Sequence, residues 1–170
     1  MPPSSSTTGP STGHGDLRAR IEAHGHSFYE ELANTIVHGI AAVLAGAALA
    51  LVVVLAAATG DPKAVVACAV YGVTLFLVFF ASSLYHGVWH ARVKRFFLAL
   101  DHCAIFLLIA GTYTPVALVV FPVTDGWVLF GVVWGMAVAG ITVRLWLGDL
   151  HWGLIPVFVG MGWLAFAWGG

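Results

Sequence analysis

Between Glu31 and Asp61 the chain carries no Asp, Glu, Lys or Arg, and Thr35 to Ala58 within that stretch is almost wholly apolar. A run of this length matches a helix crossing a hydrocarbon core of about 30 Å. In lipid every backbone N–H and C=O must find its partner inside the protein, so only helices and closed barrels span. Barrel strands alternate polar and apolar residues over segments of about ten. This run does not alternate and is far longer, so it predicts a membrane helix. Four more runs follow: Ala64 to Tyr85, Phe97 to Val120, Trp127 to Leu147 and Trp152 to Gly170. Gly60-Asp61-Pro62 and Pro122 to Gly126 supply turn chemistry between them. Composition agrees, since 60% of the chain is hydrophobic and 9% charged, whereas soluble domains carry about 25% charged residues.

The expected architecture is an all-α membrane protein with helices near 35–58, 64–85, 97–120, 127–147 and 152–170, preceded by a disordered polar tail at 1–27. That tail holds His14, His24 and His26 among Ser, Thr, Gly and Pro and lacks the apolar core of a signal peptide. Arg18 and Arg20 precede the first helix, Arg92, Lys94 and Arg95 separate the second and third, and Arg144 ends the fourth. Lys63, Asp61 and Asp125 lie on the other side. The excess of positive charge places the N-terminus in the cytoplasm and the protein in the cell membrane as a multi-pass chain. A net charge of −1 and the lack of a basic stripe exclude a nucleic-acid partner. Membrane lipids are the expected partners, with self-association open. Cys68 and Cys103 sit inside apolar runs and form neither a disulfide framework nor a Cys-rich metal site.

Polar residues within or beside these runs are costly in lipid and point to function. Ser82 and His86 lie one helical turn apart at the cytoplasmic end of the second run, and His86 and His90 repeat that spacing. Two imidazoles so spaced on a helix can meet one metal ion; alternatively His86 sits in an aromatic belt with Tyr85 and Trp89. Asp101 opens the third run, either as a helix-start carboxylate paired with Arg95 or Lys94 or as a partner of His86. Glu30, Asn34 and His38 form an i, i+4, i+8 stripe that supports the site or makes an amphipathic start to the first helix. Arg144 is expected to snorkel to the headgroups, and Thr112, Thr114 and Pro115 to mark helix contact and a kink. A Ser–His hydrolase is disfavoured because no G-x-S-x-G elbow is present.

The segments E-E-L-A-N-T-I-V-H (Glu30 to His38), S-S-L-Y-H (Ser82 to His86), L-D-H-C-A-I (Leu100 to Ile105) and A-G-T-Y-T-P (Ala110 to Pro115) together resemble the hemolysin III family, the bacterial branch of the progestin and adipoQ receptors. The resemblance implies a seven-helix bundle with a cytoplasmic N-terminus and a zinc site near that face. His86 would be a zinc ligand, with Ser82 close by and Asp101 holding the metal-bound water. The family's other two ligands come from an H-x-x-x-H motif on the seventh helix, which has no counterpart here. The chain is therefore expected to be C-terminally shortened, with an incomplete ligand set. The implied activity is zinc-dependent hydrolysis of a lipid amide of ceramide type; the alternative is a non-enzymatic cytolytic, pore-forming or lipid-homeostasis role.

Overall fold

The computed structural model describes residues 28–148 and 151–168; the expected polar tail lies outside them. Five helices follow in order: α1 (Phe28–Ala58), α2 (Pro62–Gly87), α3 (Ala91–Pro115), α4 (Val123–Leu147) and α5 (His151–Trp168), with Val116–Val120 extending α3 as a π turn. The protein is an all-α membrane protein: α1, α2, α3 with its π turn, and α4 are each long and apolar enough to cross a bilayer. In α5 the apolar segment, Ile155–Leu164, is shorter than those spans.

Local chemistry sets the boundaries. Asp61 caps α2 by accepting the Lys63 N–H at 2.9 Å, and Pro62 occupies the first turn, where a missing N–H costs nothing. Gly60, at φ 74°, supplies the left-handed residue of that turn. Pro115 cannot donate to the ladder of α3, and the chain past it widens so that the Phe121 N–H reaches Val116 O at 3.2 Å, a π-type spacing. The helices begin earlier than the uncharged runs, α1 and α3 by the most. Charge keeps a segment out of lipid but does not stop it coiling, and Glu30 and Glu31 favour the positive end of α1. Likewise Ala91 to Phe96, which holds the basic residues expected to separate the second and third helices, forms the first turns of α3 and leaves only Val88 to His90 between α2 and α3.

Successive helices pack on one another, and α5 leans on α3 and α4. Small residues line the α1–α2 contact: Ala42, Ala45, Ala64 and Ala67 are buried, as expected where close backbone approach rather than hydrophobic force joins helices in lipid. A Cβ on Gly72 would meet Leu49 Cα at 3.0 Å. Gly111 abuts Thr74 and Gly140 abuts the Phe106 ring in the same way. Towards the other face, Phe106, Leu129, Val133, Ala137 and Met161 are fully buried together between α3, α4 and α5. The Tyr113 hydroxyl ties α5 to this core through the carbonyls of Met161 (2.8 Å) and Gly162 (2.9 Å). Thr114 fulfils its expected contact role, accepting from Trp134 Nε1 at 3.1 Å, whereas Thr112 faces outward and bonds its own helix at Ile109 O.

Candidate functional site

At the end of the bundle where α2 turns into α3, three helices contribute polar side chains to one cluster. The buried face of α1 there carries Glu31, Thr35 and His38 and continues through Ala42 and Ala45. This spacing averages 3.5 residues, the stripe of a helix packed along its length on a partner. Glu31 is 2% exposed. Its Oε2 lies 2.8 Å from His86 Nδ1 on α2 and 3.1 Å from Lys94 Nζ on α3. Lys94 also reaches Tyr85 O at 3.3 Å and lies 4.7 Å from the centre of the Tyr85 ring. A single carboxylate oxygen thus joins three helices.

The ring of His38 stacks parallel to that of His86, centroids 5.8 Å apart and 9° between planes. Its Nδ1 is buried and has no hydrogen-bond partner among the described residues. Ser82 is buried, and its hydroxyl hydrogen-bonds the Asp101 carboxylate, on which His86 and His38 also act electrostatically. Beside Ser82, Ser83 Oγ donates to Thr35 O at 3.0 Å, fixing α1 against α2 at this level. Ser82, His86, His38 and Asp101 therefore share one neighbourhood.

Other expected residues fall elsewhere. Glu30 is exposed, and the inward carboxylate is its neighbour Glu31. Asn34 is half-buried and makes no hydrogen bond to the described side chains of the cluster. His90 caps α3 from outside α2 and is exposed, so the His86–His90 spacing is not a helical pair. Asp101 lies well inside α3, which begins at Ala91; it is not a helix-start carboxylate, and Lys94 pairs with Glu31 instead. Arg144 does not snorkel. It is 4% exposed, donating from Nε to His102 Nδ1 at 3.0 Å and from a terminal nitrogen to Gly148 O at 2.8 Å.

This placement of motif residues on three adjoining helices can be set beside known proteins. A profile described as "Haemolysin-III related" matches residues 26–168. The chain belongs to this haemolysin-III-related family. "Hemolysin-3" of Bacillus cereus is 45% identical over 116 residues, which cover 68% of this chain and 53% of that protein. "Hemolysin-3 homolog" of Bacillus subtilis (strain 168) is 37% identical over 137 residues, 79% of this chain and 64% of that protein. The chain thus spans between half and two thirds of the length of these relatives. No solved structure matches it significantly. Family membership and four membrane-crossing helices make this haemolysin-III-related chain a multi-pass membrane protein.

The zinc expectation can be tested against the donors present. With Nδ1 of His86 engaged by Glu31, Nε2 is the ring nitrogen left for a metal, and a carboxylate behind a ligand imidazole is the usual arrangement at such sites. A protein-bound catalytic zinc needs about three such ligands, and among the described residues no three His, Cys, Asp or Glu side chains converge to hold a metal ion. The described residues offer His86 and the adjoining His38 and do not complete a zinc site.

Proposed function

We propose that the cluster is the reaction site of a membrane-embedded hydrolase acting on a lipid amide. The observation that carries the reading is His86 hydrogen-bonded to Glu31 and near enough to the Ser82–Asp101 pair to act on it electrostatically, inside an otherwise apolar bundle. Ionisable groups at such positions are expensive to keep and mark chemistry. His86, oriented by Glu31 through Nδ1, can use Nε2 as the proton acceptor from an attacking water. Asp101, held by Ser82, orients that water and favours the imidazolium that forms. The position at one end of the spanning helices suits an amide joining an acyl chain to a polar headgroup, because that bond lies where hydrocarbon meets water. Zinc is the cofactor the family resemblance implies: with it bound, His86 Nε2 would be a ligand instead of the base, the metal would supply the activated water, and its further ligands would have to come from outside the described residues.

Purified protein in micelles, offered a fluorogenic ceramide-like amide, tests the reading. General-base chemistry contributes about 10²–10⁴-fold, so His86→Ala and Asp101→Ala should each lose at least that much activity while membrane insertion is retained. Elemental analysis should show zinc falling with His86→Ala. Unchanged turnover in both variants would sink the hydrolase reading. The name of the Bacillus cereus relative favours a second reading, membrane lysis. Dye release from liposomes, insensitive to His86→Ala, would support it instead.

A further inference from the structure

Glu31 is shared between the Lys94 ammonium and the His86 ring, yet the reaction proposed above needs only the far nitrogen of His86. We propose that Glu31 is a positioning residue that fixes the His86 tautomer, with the proton on Nδ1 and the lone pair on Nε2, and that Lys94 holds Glu31 in place to do so. This deepens the hydrolase reading and rests on it for its functional meaning, though not for its geometry.

An ionised carboxylate only accepts hydrogen bonds. A 2.8 Å separation between Glu31 Oε2 and His86 Nδ1 therefore requires the proton on that nitrogen. The same oxygen lies 3.1 Å from Lys94 Nζ, so charge is balanced where the carboxylate is 3% exposed. Lys94 is itself seated by Tyr85 O and the Tyr85 ring. The Glu31 carbonyl accepts from Thr35 Oγ1 at 2.8 Å, and Thr35 O accepts from Ser83 at 3.0 Å, so the first turns of α1 are fixed on α2. Among the described residues no acceptor is hydrogen-bonded to Nε2: the side-chain hydrogen bond of Asp101 is with Ser82, and Asp101 and His86 interact electrostatically. The His38 ring lies parallel to that of His86 with centroids 5.8 Å apart, and among the described residues no hydrogen bond joins the two. Free histidine prefers the opposite tautomer, with the proton on Nε2, which would leave no lone pair there for a proton or a ligand.

Nitrogen-15 NMR of histidine-labelled full chain in detergent reads the tautomer directly, with the His86 signals assigned by their loss in His86→Gln. The expected wild-type spectrum has a protonated Nδ1 and an unprotonated Nε2. That form should exceed the other by about tenfold or more, the bias that one charge-assisted hydrogen bond supports. Lys94→Arg should retain it. Glu31→Gln, whose amide can either donate or accept, should lose the bias and move towards the free-histidine tautomer. In the amidase assay the same variant should lower kcat with little change in KM. A wild-type spectrum with the proton on Nε2 overturns the proposal without any variant, and so does a folded Glu31→Gln protein with unchanged signals. The expected tautomer in a protein without amidase activity would refute the hydrolase reading while leaving the positioning role intact. Amidase activity alongside the wrong tautomer would do the reverse.

Discussion

Removing the ammonium of Lys94 gives the sharpest measure of what the three-helix junction is worth. Lys94→Met keeps the aliphatic stem and deletes one of the two donors to Glu31 Oε2. Stripping a buried charge of its only partner costs about 3–5 kcal/mol. Glu31 keeps His86 at 2.8 Å, so a cost just below that range, about 2–3 kcal/mol, applies to the ion pair. The contact with the Tyr85 ring at 4.7 Å adds about 0.5–1 kcal/mol, for a total near 3 kcal/mol. In the Glu31→Gln background no charge is left behind, and Lys94→Met should cost only about 1 kcal/mol for the contacts to Tyr85. The coupling between the two positions is then about 2 kcal/mol, well inside the range seen for groups in one network. Reversible unfolding in mixed micelles, followed by far-ultraviolet circular dichroism and tryptophan fluorescence, gives all four corners of the cycle. Equal costs of Lys94→Met in both backgrounds, within about 0.5 kcal/mol, would refute the claim that Lys94 serves Glu31.

Two further predictions concern packing. Gly111→Ala forces a methyl group into Thr74, so it should destabilise by about 1–3 kcal/mol; adding Thr74→Ala should restore most of that, and a double variant no better than the single would refute the contact. Tyr113→Phe removes the hydroxyl that holds the carbonyls of Met161 and Gly162, at about 1 kcal/mol. Hydrogen exchange should rise in α5 and not in α1 or α2; a uniform rise would argue against a local anchor.

The class of fold was legible because uncharged length is a direct statement about lipid. Helix ends were less so, since the limits of a hydrophobic run are the limits of membrane burial and not of coiling. That difference hid Lys94, which looks like part of a connecting elbow but lies in the first turns of α3. Ser82, His86 and Asp101 were visible as polar residues at the ends of apolar runs. The choice of Glu30 over Glu31 came from extending a strict four-residue step from His38. Neighbouring positions on a helix differ by about 100°, so one residue decides between lipid headgroups and the interior. The alanines at 42 and 45 carried the signal that could have settled it, because they continue the spacing of Glu31, Thr35 and His38. The inward turn of Arg144 was not legible locally, as its acceptor His102 belongs to a different helix.

The single oxygen that joins α1, α2 and α3 also constrains how the protein is made. His86 follows Glu31 by 55 residues, which at about 5–20 residues per second is on the order of 3–11 s of translation. Throughout that interval α1 has emerged with a carboxylate that has met neither of its eventual partners. The first helix therefore gains its final seat only when the last turn of α2 and the first turn of α3 have left the ribosome. Integration of this protein is accordingly a three-helix event, in which α1 waits at the lipid boundary for the hairpin that neutralises it.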